Sequence, residues 1–104
     1  MSYEEEKLRI NVIANRLELD IGGNTAFIEY KLSGNNLFLI HTEVPPEFEG
    51  KGVGGAIVQK ALQYAKDNGY KIVPLCVFVQ SYLKRHKEWD DIVAPDADRF
   101  INKL

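Results

Sequence analysis

The sequence has almost no cysteine: Cys76 is its one thiol, so no disulfide can form within the chain. This excludes a small secreted scaffold held together by disulfides. An excess of basic residues is also missing, because 13 Lys and Arg stand against 15 Asp and Glu, for a formal net charge of −2. The chain therefore has no general electrostatic footprint for nucleic acid. No apolar run approaches the roughly 20 residues of a membrane-spanning helix.

We also expect no signal peptide, because residues 1–7 are acidic and no apolar stretch follows them. We therefore expect a cytoplasmic protein, a monomer or a dimer, with no nucleic acid or membrane among its partners and no metal site. What the chain does have is an ordinary globular composition, with 45% hydrophobic residues, which is too many for a disordered chain. Its length predicts one domain, residues 1–104, with little room for a separate lid.

Three strands are predicted in the first half of the chain. Residues 16–21 alternate between apolar and charged side chains, which is typical of a half-buried strand, and residues 25–32 alternate in the same way. A turn at 33–36 leads to a third strand at 37–44. Residues 37–40 are apolar on both faces, so this strand is predicted to be central and covered on both sides. Together the three strands form an antiparallel meander.

The pattern changes period after the two prolines at 45 and 46. Between residues 53 and 68 apolar side chains recur about every 3.6 residues, which predicts an amphipathic helix, and Gly69 fits its C-terminal cap. The apolar run at 72–76 predicts a fourth strand, parallel to the third because a helical crossover joins them.

A second helix is predicted at 78–86. Residues 91–94 are compatible with a short last strand, and residues 96–103 with a terminal helical turn. These elements predict an α/β (α+β) fold, in which a mixed, mainly antiparallel sheet carries one long helix against one face.

A glycine-rich loop separates the third strand from the long helix: residues 49–55 read Glu-Gly-Lys-Gly-Val-Gly-Gly. Glycines let the backbone approach a ligand closely, and the free N–H groups and dipole of a helix start favour an anion. The loop is not a Walker A motif, because its Gly-Lys pair is followed by Gly. It is not a dinucleotide fingerprint either, because Ile57 occupies the third glycine position. The glycines alone are equally compatible with a flexible turn.

The order of elements around this loop resembles the GNAT superfamily of N-acetyltransferases: strand, Pro-Pro, glycine-rich loop, amphipathic helix, glycine, parallel strand. More narrowly, H-T-E-V-P-P-E-F-E-G-K-G-V-G-G and the later V-P-L-C-V-F-V are similar to small, roughly hundred-residue predicted acetyltransferases of that superfamily. The resemblance covers residues 17–89. It implies a GNAT-like fold, acetyl-coenzyme A as cosubstrate, and an amine acceptor that is a small molecule or a protein.

In that superfamily a loop of the pattern Arg/Gln-x-x-Gly-x-Gly/Ala binds the pyrophosphate of coenzyme A through main-chain N–H groups. The resemblance implies that the cofactor-binding residues of the loop are Lys51, Gly52, Val53, Gly54 and Gly55. Glu49 departs from the pattern, because a carboxylate beside a pyrophosphate is unfavourable unless it points away or Lys51 offsets it.

The resemblance also implies that the two parallel strands splay apart beside the cofactor. The main chain around Val44 would then polarise the thioester oxygen. Pro74 lacks an N–H and would break a ladder bond in a closed pair of strands, but it costs little in a splayed pair.

Four side chains are candidates for catalysis. His41 and Glu43 lie two apart on the third strand and share a face; His41 could act as general base with Glu43 orienting it, or the pair could be structural. Cys76 lies where relatives often have an Asn beside the cofactor arm. It could donate a proton or accept the acetyl group, or be a small buried hydrophobe. Tyr82 falls in the stretch that supplies an acid tyrosine in many relatives, one residue short of the usual spacing from Cys76.

These residues predict an acetyl-coenzyme A-dependent N-acetyltransferase that works by direct attack, with His41, Glu43 and Cys76 facing one cavity. Two alternatives remain open. The first is a non-catalytic coenzyme A-binding module. Glu49 favours it, and so does the short chain, which lacks the extra helices that shape the acceptor site in larger relatives. The second is an acyl relay through Cys76.

Overall fold

The computed structural model describes residues 6–101, and the side chains of residues 6–100. It contains a five-stranded sheet in which the strands lie in chain order. The strands are β1 (Arg9–Asn11), β2 (Arg16–Ile21), β3 (Asn24–Ser33), β4 (Asn36–Glu43) and β5 (Lys71–Pro74). Neighbours from β1 to β4 pair antiparallel, and β4 and β5 pair parallel. The predicted mixed, mainly antiparallel sheet is confirmed.

The helices are α1 (Val53–Asp67), α2 (Val77–Arg85) and the short α3 (Asp98–Ile101), with 3₁₀ turns at Pro46–Phe48 and Lys87–Ile92. The long helix is therefore confirmed, and Gly69 follows its end at φ +73°, as a C-terminal cap requires. Residues 102 and 103 of the predicted terminal turn lie outside the described residues.

One prediction about the smaller elements is corrected, and one element was missed. The expected strand at 91–94 is reduced to a single parallel bridge between Ile72 and Val93, because the preceding 3₁₀ turn runs to Ile92. The strand β1 was not predicted, because its three residues are too few to show an apolar period.

Ion pairs of Arg9 with β2 and packing of Ile10 against the core add to the antiparallel pairing of β1 and β2. The Arg9 guanidinium donates two hydrogen bonds to the Asp20 carboxylate, at 3.0 and 3.1 Å. Its Nη1 also lies 2.6 Å from Oε1 of the buried Glu18. This contact is an ion pair, and Oε1 accepts no hydrogen bond from any described residue. One arginine thus neutralises two carboxylates of the neighbouring strand.

The main core lies between one face of the sheet and the helices α1 and α2. Its fully buried large side chains come from every strand but β1 and from both helices: Leu17, Leu19, Ile28, Leu37, Leu39, Val53, Ile57, Val58, Leu62, Ile72 and Val79. On the opposite, outer face of the sheet a second, small apolar cluster covers β4 and β5. There the ring of Phe100 meets Phe38 edge-on at 5.0 Å, beside Val73, Ala94 and Ala97.

The strand β4 contains a bulge at Ile40. In its pairing with β3, Leu39 lies opposite Tyr30 and His41 lies opposite Glu29, so Ile40 has no partner in β3. Its side chain is 44% exposed. The prediction that residues 37–40 are covered on both sides is therefore correct for Phe38 and wrong for Ile40.

The bulge reverses which residues of β4 face the helices. Before it, Leu39 faces the core; after it, Thr42 does, because Thr42 lies opposite the fully buried Ile28. His41 and Glu43 consequently point to the outer face. This one extra residue decides the geometry of the site.

Candidate active site

A groove of about 460 Å³ opens between the end of β4 and the start of α1. Its walls come from three segments: residues 42–44, the loop residues 48–50 with 52–55, and Phe78 at the start of α2. A larger hollow of about 680 Å³ beside the β1–β2 hairpin is lined by none of the predicted site residues. Of the predicted cofactor residues, all but Lys51 line the groove.

The first half of the loop is tied back to the 3₁₀ turn before it. The N–H of Glu49 donates to the Pro46 carbonyl and the N–H of Lys51 to the Phe48 carbonyl, both at 3.2 Å. The Lys51 amide is therefore already engaged, and the expectation that it offers its N–H to a ligand is not met. Its side chain remains exposed beside the groove.

The second half of the loop is the first turn of α1, and its N–H groups are free. The first intrahelical bond runs from the Ala56 N–H to the Gly52 carbonyl, at 3.1 Å. For the N–H groups of residues 52–55 no partner appears anywhere in residues 6–101, and no side chain caps the helix. Gly52 reaches this turn at φ +83°, in the left-handed region that favours glycine. Free donors at the positive end of a helix dipole form an anion cradle.

The parallel strands separate beside this cradle, as the resemblance implied. Pairing between β4 and β5 stops where Leu39 faces Pro74, although β4 continues to Glu43. The N–H groups of Leu75 and Cys76 both donate to the Leu39 carbonyl at 3.0 Å, and the chain then turns into α2. The gap between the strands opens directly after Leu39.

The role expected for Pro74 is corrected. Since the Leu75 N–H points to β4, the ring nitrogen of Pro74 points to the other side of β5, so its missing donor does not affect the parallel pair. The Pro74 carbonyl accepts a hydrogen bond from Nε2 of Gln80 at 2.9 Å.

Thr42 and Cys76 meet across the gap between the strands. The Thr42 hydroxyl lies 3.4 Å from the Cys76 sulfur, and either atom could donate. Cys76 is 9% exposed, and Thr42 lines the groove. Sequence reasoning missed Thr42, because a polar residue between two other polar residues gives no sign of facing inward.

His41 and Glu43 also contact each other, as their spacing predicts, with 3.3 Å between Nε2 and Oε1. Both side chains are more than half exposed. The expectation that this pair and Cys76 face one cavity is wrong, because the bulge at Ile40 turns His41 and Glu43 to the outer face. Glu43 still reaches the edge of the groove, and His41 is not among the residues that line it.

Tyr82 is not among the residues that line the groove, although its ring lies 3.8 Å from where a Cβ on Gly55 would be. Its ring is buried and stacks on His86, with 4.1 Å between the ring centroids, and His86 Nδ1 lies 3.6 Å from a Glu88 carboxylate oxygen. Burial raises the pKa of Tyr82; the negative charge of Glu88 adds to this effect and Arg85 opposes it. The phenol therefore stays protonated at neutral pH, but the structure does not bring it together with Thr42 and Cys76.

Comparison with known proteins shows the family to which the chain belongs. The sequence model of the GCN5-related N-acetyltransferases matches residues 16–92. The chain belongs to this family.

Two relatives show how far the likeness extends. The solution NMR structure of a GCN5-like predicted N-acetyltransferase from Staphylococcus aureus superposes with a TM-score of 0.65 at 28% identity, over 90% of this chain and 91% of that one. An uncharacterised N-acetyltransferase of Methanocaldococcus jannaschii is 47% identical over 38 residues, which is 36% of this chain and 17% of that relative. The match thus spans a small part of the archaeal protein.

Among the residues that the structure describes, no group of three or more His, Cys, Asp or Glu could hold a metal ion. Within the same residues, no helix has the length and apolarity needed to cross a membrane.

Proposed function

We propose that this GCN5-related protein transfers the acetyl group of acetyl-coenzyme A to an amine. The observation that carries the proposal is the groove, in which the free N–H groups of residues 52–55 lie beside the gap between β4 and β5. A nucleotide thioester has the two parts that this arrangement fits, a pyrophosphate for the cradle and a narrow arm for the gap.

The first turn of α1 would hold the pyrophosphate. Its N–H groups are fixed by the helix, so they need no reorganisation to bind an anion. The exposed Lys51 side chain adds a positive charge nearby. Glu49 is exposed at the rim of the groove, with its own N–H bonded within the loop, so its carboxylate has room to turn to solvent.

The acceptor reaction has two proton transfers, and the bulge in β4 separates the groups that suit them. As the amine nitrogen attacks the carbonyl carbon and the carbon–sulfur bond breaks, the nitrogen must lose a proton and the departing thiolate must gain one. On the outer face, His41 takes the amine proton, because an imidazole accepts protons near neutral pH, and Glu43 orients the imidazole. On the groove side, Cys76 with Thr42 supplies the thiolate proton. The main chain of Val44, at the rim between them, polarises the oxygen.

A relay through Cys76 is the second candidate mechanism, and the Thr42 contact favours it. A hydroxyl 3.4 Å from the sulfur can donate to a thiolate and so support Cys76 as a nucleophile that carries the acetyl group. Neither mechanism needs Tyr82, because Cys76 supplies the thiolate proton in a direct attack and carries the acetyl group in a relay.

Steady-state transfer to a panel of amines tests the proposal, with coenzyme A affinity measured separately by calorimetry. His41→Ala is expected to lower turnover by about 10²-fold while affinity changes by no more than a few-fold. His86→Ala is the matched control, since His86 is the other histidine and lies outside the groove, and it should leave turnover unchanged.

Cys76→Ser distinguishes the two mechanisms in the same assay. A direct attack loses little with serine, whereas a relay loses nearly all turnover and shows an acetylated Cys76 in the mass spectrum of the unsubstituted protein. If no amine is acetylated, the enzymatic proposal is wrong; if amines are acetylated but His41→Ala behaves like His86→Ala, the role given to His41 is wrong. Coenzyme A binding without transfer would leave the non-catalytic binding module.

A further inference from the structure

We propose that Phe78 is the aromatic wall of the groove, and that Gly54 is a glycine because the Phe78 ring rests on it. The identity of the ligand rests on the function proposed above, whereas the pairing of the two residues does not. The apolar arm of the ligand, rather than its phosphates, is the part that packs against the ring.

The contact between the two residues is close. A Cβ built on Gly54 would lie 2.5 Å from Cζ of Phe78 and 3.1 Å from Cε1. Real Cβ atoms do not approach a neighbour to 2.5 Å, so even alanine at this position must displace the ring. The neighbouring Gly55 is different, because its Cβ would lie at an ordinary 3.8 Å from Tyr82.

The backbone gives no other reason for glycine at position 54. Gly54 is absent from the glycines with positive φ, unlike Gly50 and Gly52. Within a helix, alanine is more favourable than glycine by about 0.5–1 kcal/mol. Since neither the backbone conformation nor the helix favours glycine at position 54, the Phe78 ring that packs on it is the best explanation for this residue.

The exposure of Phe78 indicates a binding role rather than a core role. Its side chain is 41% exposed although it lines the groove together with Val44 and Gly54. The ring lies on the groove wall against Gly54, beside a cradle that offers only N–H groups. An apolar face at this point suits the arm that joins the phosphates to the thioester.

A cycle of four proteins tests the pairing: the unsubstituted chain, Gly54→Ala, Phe78→Ala and the double variant, each titrated with coenzyme A by calorimetry. Each single substitution is expected to weaken binding about tenfold, as a well-packed aromatic contact does. The double variant should be no weaker than either single variant, since alanine at 54 acts only by displacing the ring. Additive losses, about a hundredfold together, would mean that the residues act independently and would overturn the inference.

A second ligand separates the arm from the phosphates. Adenosine 3′-phosphate 5′-diphosphate keeps the pyrophosphate and lacks the arm, so its affinity should be the same for all four proteins. An equal loss for both ligands would show that Gly54 is needed for close approach of a phosphate, and the inference would fail. Val77→Ala is the matched control, because Val77 is the apolar neighbour of Phe78, is 76% exposed and does not line the groove; it should bind both ligands normally.

A readout without ligand keeps the test independent of the proposed function. The ring of Phe78 should shift the NMR signals of the Gly54 α-protons, and Phe78→Ala should return them to ordinary values while melting curves confirm that the variant is folded. Unshifted α-protons in the unsubstituted protein would overturn the pairing. Normal ring shifts with no binding of coenzyme A would overturn the proposed function and the ligand role of Phe78, and would leave the pairing in place.

Discussion

Asp20 is the carboxylate whose surroundings change its titration most clearly. The hydrogen bonds from Arg9 lower the pKa of Asp20, and the Thr25 hydroxyl, at 2.8 Å, lowers it further. A carboxylate whose pKa is depressed by folding stabilises the folded state above its unfolded pKa of about 3.9. That contribution is lost as the pH falls through the lower, folded pKa.

We therefore expect Asp20→Asn to melt at a lower temperature than the unsubstituted chain at pH 7, with the difference shrinking as the pH falls below about 4. Thermal melts across this pH range measure it. Asp91→Asn, at an exposed carboxylate outside the Arg9 network, should show no such pH-dependent difference. A difference for Asp20→Asn that stays constant down to pH 2 would show that the ion pair is not its cause.

Single residues also show where sequence reasoning about the site succeeds and where it fails. The spacing of His41 and Glu43 predicts their contact, because residues two apart on a strand share a face. The bulge does not disturb this relation, because it precedes both residues. Their catalytic role stays a prediction. Thr42 and Phe78 could not be found, because Thr42 depends on the bulge and Phe78 on the angle at which α2 leaves the sheet.

The element that decides the site is the bulged strand β4. Ile40 is as apolar as the residues before it, so nothing in the sequence distinguishes a bulge from a regular buried strand. The other strands and the long helix were predictable because their apolar residues repeat with periods of 2 and 3.6. The strand β1 was not, because its three residues are too few to show a period.

An engineered disulfide can test which side chains of β4 face the helices after the bulge. Since the Thr42 hydroxyl lies 3.4 Å from the Cys76 sulfur, Thr42→Cys should place two sulfurs within bonding reach and form a disulfide under mild oxidation. The measurement is the loss of two hydrogen atoms in intact mass, with protection of both thiols from alkylation. His41→Cys is the control, and it should stay reduced because its side chain points to the outer face. A disulfide from His41→Cys instead would mean that the bulge is absent.

At the scale of the whole molecule, both longer helices lie on one face of the sheet, and the outer face near His41 has no covering among the described residues. A ligand held at the start of α1 would extend through the gap after Leu39 towards that open face. This arrangement allows an acceptor to approach from the side opposite the cofactor. The family and the fold followed from the order of strand, glycine-rich loop, helix and strand, which the comparisons support.

The free N–H groups at the start of α1 are proposed to hold an anionic cosubstrate, and a titration with coenzyme A tests this proposal. Gly55→Glu adds a negative charge in the first turn, where a carboxylate stabilises a helix by about 0.3–1 kcal/mol, at a position where a Cβ makes only ordinary contacts. The variant should therefore melt no lower than the unsubstituted chain and yet bind coenzyme A at least tenfold more weakly than Gly55→Gln, its uncharged match in size. Equal affinities of Gly55→Glu and Gly55→Gln for coenzyme A would contradict the account.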